Sequence, residues 1–172
     1  EENWGRPEEE VSSLMGLMLK AIADEIDSLA AKGVKFRVMG NTSRLAPELL
    51  AAIHEAEEKT EPAPGKEPLL TLIVFFSYSG KWDILQAAKR MAKEYSDRPD
   101  ELDSVGIGDF SHYLVTDGIP DPDLIIRTSG EERISNYLLW QAAYSEFLFV
   151  DTLWPDFRCE EFRAALEEYS HR

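Results

Sequence analysis

Arg127, Thr128, Ser129 and Gly130 stand together after a short apolar run, and Arg133 and Ser135 follow closely. A planar guanidinium can grip two oxygens of one anion, so two arginines flanking a glycine turn suit a diphosphate better than a monophosphate. The plainer use of the same residues is pairing with Glu131 and Glu132 in surface ion pairs of small energetic worth. Glu146, just before the apolar stretch FLFV, is either a solvated strand flank or a metal ligand, and its pattern alone favours the flank.

Three elements must hold these residues. Asp123 to Ile126 has the β-branched, apolar character of a buried strand in a parallel sheet, and it ends at the arginine turn, where open α/β sheets bind ligands. Ser135 precedes Tyr137, Leu138, Trp140, Gln141 and Tyr144, which predicts an N-cap and a helix whose unpaired N–H groups point at the turn. FLFV is the second strand. Arg127, Arg133 and the helix start are expected to converge on an anion.

The remainder reads as alternating helices and strands. Pro7 and the carboxylates Glu8 to Glu10 mark the start of a long helix. Its apolar positions, Val11 to Leu29 with Leu17 and Leu19 added, are broad enough to be buried on two sides. Gly33 stops it, and VKFRVM alternates as a half-exposed strand near a sheet edge. A helix from about Pro47 to Glu58 and a solvated TEPAPGKEP loop lead to Leu69–Phe76, a strand expected to be buried on both faces. Ser77 to Lys81 then turns into a helix from Trp82 to about Glu94. The turn lacks the spacing of a nucleotide-binding phosphate loop. Asp109 is expected to cap a short helix through His112 and Leu114, and Arg158 to Tyr169 an amphipathic helix with Phe162, Leu166 and Tyr169 inward.

With 172 residues, 44% of them hydrophobic, the chain is long enough for one domain, residues 1–172, with a true core. A net charge of -15 excludes a nucleic-acid backbone binder, which needs a basic surface. One cysteine rules out an internal disulfide, which fits the cytoplasm, and three scattered histidines offer no zinc spacing. The sequence carries no apolar run of membrane-spanning length.

Two separated stretches carry a resemblance. DLIIRTSGEERISNYLLWQAAYSE followed by LWPDF closely resembles the signature of the cis-prenyltransferases, the undecaprenyl diphosphate synthase family. EENWGRP at Glu1 to Pro7 is similar to that family's aromatic-Ser-x-Glu-Asn-Trp-x-Arg-Pro motif, with Glu10 at a recurring acidic position. Where the family reads Asn-Tyr-Gly-Gly-Arg, this chain has Ser77, Tyr78, Ser79, Gly80 and Lys81, and it begins after the family's Asp-Gly-Asn-Gly-Arg turn, its metal-binding aspartate and its first strand.

The resemblance implies an α/β fold, a mainly parallel central sheet flanked by helices, with the long helix lining a hydrophobic tunnel. It implies condensation of isopentenyl diphosphate with an allylic diphosphate to a Z-polyprenyl diphosphate, using Mg²⁺, in a homodimer that is cytoplasmic with peripheral membrane contact for product release. Residue by residue, Asn3 takes the position assigned to proton removal, though a neutral amide is better suited to orienting water or diphosphate. Glu2, Trp4, Arg6, Arg127, Arg133, Ile134 and Ser135 fall on substrate-binding positions, and Glu146 on a metal ligand. Phe75 and Phe76 stand where the resemblance implies smaller residues, and one of them is expected to face the tunnel and shorten the product, plain core packing being the alternative reading. A non-catalytic partner subunit, a short-chain or irregular synthase, and a general phosphate-binding module are the other readings.

Overall fold

The computed structural model describes Gly5 and residues 7–172, the side chain of Glu8 excepted. They form two compact units, residues 1–79 and 80–172, each α/β with its own pair of parallel strands.

In the first unit, helix α1 (Glu8–Ala31) is followed by strand β1 (Val34–Met39), helix α2 (Pro47–Lys59) and strand β2 (Leu70–Phe75). Proline at the first position of α2 lacks only an N–H that would have gone unpaired there. α1 ends as its sequence dictates, with Gly33 at φ +70° and its N–H on the Ala30 carbonyl. β1 and β2 pair in parallel from Val34 opposite Leu70 to Met39 opposite Phe75. Ile22 of α1, Phe36 of β1 and Leu49, Ile53 and Ala56 of α2 close the core, with Met15, Met18, Ile26 and Leu29 packed against it.

β1 is managed as an edge. The Phe36 N–H donates to Thr60 Oγ1 (3.0 Å) and the Val38 N–H to Glu57 Oε1 (2.9 Å), so side chains of the α2 end occupy donors that another strand would have taken. At the end of β1 only glycine fits. Gly40 has φ +129°, and a Cβ there would run into the Phe76 carbonyl oxygen.

Two expectations for this unit fail. α1 is buried along one stripe, not two: Leu14, Leu17 and Leu19 are exposed, Leu17 at 61%. β2 is not covered on both faces either, since Leu69, Leu70 and Leu72 are exposed and only Val74 and Phe76 reach the core. In both cases the apolar pattern is wider than the surface that the described core covers.

The second unit begins with helix α3 (Gly80–Glu94), continues through the short helices α4 (Pro99–Leu102) and α5 (Ile107–Ser111), and then pairs β3 (Leu124–Arg127) with β4 (Glu146–Phe149) in parallel. Helix α6 (Cys159–Ser170) follows. Its apolar core is made of small contributions, Ala87, Leu114, Leu138, Ala142, Leu148 and Ala165. Asp109 does not cap α5 from outside. It sits in the first turn and accepts the Gly106 N–H at 2.8 Å, and the helix stops before His112, which pairs with Asp117. In α6 Ala165 is buried and Tyr169 half-buried, while Phe162 and Leu166 are exposed.

The helix expected to start at Ser135 is absent. Ser135, Asn136 and Leu138 have φ of +48°, +60° and +46°, values that no right-handed helix contains, and only a 3₁₀ turn at Gln141–Tyr144 remains. Asn136 does not propagate a helix because its carbonyl and side chain bond instead to the start of α3.

Candidate functional site

β3 delivers Arg127 as its last residue, and the chain then folds back along the segment after β4. The Val150 N–H donates to the Arg127 carbonyl, and the Ser129 and Gly130 N–H groups donate to the carbonyls of Thr152 and Val150, each at 2.9 Å. Ser129 and Gly130 are both left-handed, with φ +72° and +64°. These bonds fix a tight turn at the carboxyl end of a parallel strand, the ligand position of open α/β sheets.

A cleft of about 350 Å³ opens beside this turn, and Arg127, Thr128, Ser129, Arg133, Ile134 and Tyr137 line it above β-strand side chains. The two arginines of the sequence reading therefore meet in one place. Their states differ. Arg133 is ion-paired with Glu131, as the plainer reading expected, whereas the half-buried Arg127 guanidinium has no ion-pair partner among the described residues. A partly desolvated cation on a concave wall favours an anion, and burial raises the Tyr137 phenol pKa, keeping that hydroxyl protonated as a donor.

Ser135 does not line this cleft, and with no helix behind it the expected helix-dipole contribution is absent. Glu2, Asn3, Trp4 and Arg6 lie outside the described residues. Glu146, at the start of β4, is half exposed and holds Arg172 Nη1 at 3.1 Å, while Arg172 Nη2 reaches Glu168 at 2.6 Å. Among the described residues no three His, Cys, Asp or Glu side chains stand together as a metal would need.

The first unit has a cleft of another character. Val11, Leu14, Leu17 and Met18 of α1 face Phe75 and Tyr78 across about 490 Å³ of mostly apolar space. Leu14 and Leu17, exposed on α1, thus line a cavity. Phe76 packs against the core and the Phe75 ring meets Tyr78 edge-on at 4.8 Å.

Sequence reasoning missed a buried polar cluster in the second unit. Asp83 in the first turn of α3 is 0% exposed, and its carboxylate accepts the Val115 N–H (2.9 Å) and Gln141 Nε2 (3.3 Å). Gln141 Nε2 also donates to Thr116 Oγ1 at 2.9 Å. An aspartate early in a helix looks like an ordinary dipole partner, so only the structure reveals its burial. Tyr137 and Asn136 were missed because the false helix absorbed them.

The fold and cleft define a parallel α/β protein with a cationic pocket at a strand's carboxyl end. The comparisons with known proteins narrow that class. A family model described as "Putative undecaprenyl diphosphate synthase" matches residues 1–172, and the chain belongs to this family of prenyl-transferring enzymes. It is 47% identical over 174 residues to an isoprenyl transferase of Rhizobium meliloti (strain 1021), covering 99% of this chain and 68% of the relative. It is 43% identical over 171 residues to the (2E,6E)-farnesyl-diphosphate-specific ditrans,polycis-undecaprenyl-diphosphate synthase of Haemophilus influenzae, covering 99% and 70%. Lavandulyl diphosphate synthase from Lavandula x intermedia, solved with dimethylallyl diphosphate, superposes with a TM-score of 0.90 at 31% identity, covering 99% of this chain and 72% of that one. The chain spans about two thirds of the length of the curated relatives it matches. Among the described residues no helix is long and apolar enough to cross a membrane.

Proposed function

We propose that this protein condenses isopentenyl diphosphate with an allylic diphosphate, with Arg127 and Arg133 holding the isopentenyl diphosphate. The observation that carries this is the cleft itself, where a half-buried guanidinium without an ion-pair partner among the described residues shares a wall with a second one. In the condensation a carbon–carbon bond forms as diphosphate leaves the allylic carbon and a proton leaves the isopentenyl unit. Arg127 binds without losing a partner, and Arg133 exchanges Glu131 for a diphosphate oxygen. Held by two forks, the nucleophile loses the freedom that would otherwise oppose reaction. The apolar cleft of the first unit takes the prenyl chain, each buried methylene contributing about 0.8 kcal/mol. Phe75 narrows that cleft and limits product length.

Family resemblance adds a magnesium requirement with Glu146 as this chain's candidate ligand once it parts from Arg172, Asn3, Glu2, Trp4 and Arg6 on the substrates, a homodimer, and a cytoplasmic site of action beside a membrane. The test is the Michaelis constant for isopentenyl diphosphate in Arg127→Ala and Arg133→Ala. Each should weaken binding by about 2–4 kcal/mol, the scale for removing one partner of a buried charge contact, with Arg127 the larger. Unchanged constants in both variants would remove the cleft from the reaction.

A further inference from the structure

The turn that carries Arg133 and Ser135 has three left-handed non-glycine residues among Ser135 to Leu138, a conformation that a free segment would not hold. Something must impose it, and the contacts point to the first turn of α3. The Gly80 N–H donates to the Asn136 carbonyl at 2.7 Å, and the Lys81 N–H to Asn136 Oδ1 at 2.9 Å. One residue of the turn therefore satisfies two opening donors of a 15-residue helix, as an N-cap would, although it lies far away in sequence.

The fit is close on the apolar side as well. A Cβ on Gly80 would lie 2.7 Å from Leu139 Cγ and 2.9 Å from the Leu139 backbone nitrogen, so α3 and the turn approach as only glycine permits. One helical turn on, buried Asp83 takes Gln141 Nε2, fixing the other end of the segment. Gln141 is only 3% exposed, and its Oε1 finds no hydrogen-bond partner among the described residues. Both donor contacts of the amide are kept on Asp83 and Thr116 at the expense of its oxygen.

We propose that Asn136, backed by Asp83, is a positioning residue: it docks the turn on the start of α3 and so holds Arg133 on the wall of the cleft that Arg127 lines. The proposal rests on the reading of that cleft as the isopentenyl diphosphate site. Asn136 touches no substrate in this scheme. It tolerates φ near +60° better than most residues, so one side chain supplies both the conformation and the cap.

The test compares Asn136→Ala, Asn136→Gly and Asn136→Asp in the whole protein, using inorganic pyrophosphate calorimetry and steady-state kinetics in both substrates. Alanine loses the cap and resists the left-handed backbone, glycine loses only the cap, and aspartate keeps both. Asn136→Ala should raise the pyrophosphate Kd and the KM for isopentenyl diphosphate roughly fivefold, the size of one lost cap, leaving the allylic KM unmoved. Asn136→Gly should fall between, and Asn136→Asp should restore binding. Faster amide exchange at Lys81 in the alanine variant would show the clamp opening without any ligand. Unchanged isopentenyl diphosphate binding in Asn136→Ala, or an equal rise in both KM values, overturns the positioning role. If wild type itself binds no pyrophosphate, the diphosphate reading falls first, and Lys81 exchange still reports whether the clamp exists.

Discussion

The two units close their cores by opposite means. Residues 1–79 bury an apolar cluster, with Leu49 2% exposed between α1, β1 and α2, whereas in residues 80–172 the best-buried large side chain is the aspartate Asp83. Apolar packing is non-directional and responds to volume, while a buried carboxylate responds to whether each donor around it is met. The first unit supplies a long apolar wall. The second has to hold two cations at set positions on a left-handed turn, and it does so with directed bonds.

The sharpest contrast should come from truncation in each core. Leu49→Ala should cost about 3 kcal/mol, the lost transfer of three buried carbons plus a smaller amount for the cavity left behind, and Leu49→Met under about 1.5 kcal/mol because volume is nearly kept. Asp83→Ala should cost about 3 kcal/mol for a different reason, since it strands the Val115 N–H and leaves the Gln141 amide with Thr116 alone in a buried site. Chemical denaturation of the parent and the three variants gives all these values. If Leu49→Met were as damaging as Leu49→Ala, volume would not be the controlling variable in the first unit.

Asp83→Asn should be the milder change, at about 1 kcal/mol. The introduced amide can still accept the Val115 N–H through its oxygen. Gln141 can turn its own amide over, so that its Oε1 accepts from the new side chain's nitrogen. Shape is conserved and the hydrogen bonds are rearranged. A loss equal to that of Asp83→Ala would mean that charge, and not bond satisfaction, holds the cluster.

The same contrast explains what could be read from the chain. β1 emerges as Val34–Met39, α2 within a residue of its expected span and α3 two residues early, because periodic apolar patterns and the Pro47 and Gly33 boundaries act locally. Arg127 and Arg133 could be paired in advance because their strand and turn are adjacent in sequence. The helix after Ser135 was legible only as a false positive: Tyr137, Leu138, Trp140 and Gln141 have helical spacing, yet Asn136 gains more from two bonds to α3, a partner too far along the chain for any local pattern to reveal. Exposed Leu17, Leu70 and Phe162 mislead in the other direction, since hydrophobicity marks what could be buried and not what is.

The smallest effects lie in the pH response, and they too should separate the units. In the first, Arg37 foremost and Lys35 with it hydrogen-bond Glu61 and hold its carboxyl below the usual 4.5. A folded-state value below the unfolded one gives stability that is present above pH 4.5 and lost as pH falls through the folded value. In the second, the Tyr113 hydroxyl donates to Glu94 at 2.8 Å, and that bond to a carboxylate pushes the phenol up to about 12 from 10.0. Here the folded value is the higher one, so the stability is present below pH 10 and lost as pH rises toward about 12. Both groups sit where solvent and salt screen them, so each contribution is small and should shrink further at high ionic strength. Melting temperatures recorded against pH in dilute buffer should therefore show Glu61→Gln flattening only the acid limb and Tyr113→Phe only the alkaline one. A Glu61→Gln protein whose alkaline limb moved, or a Tyr113→Phe protein that lost acid stability, would show that the two pairs do not act independently and that the electrostatic difference between the units is not local.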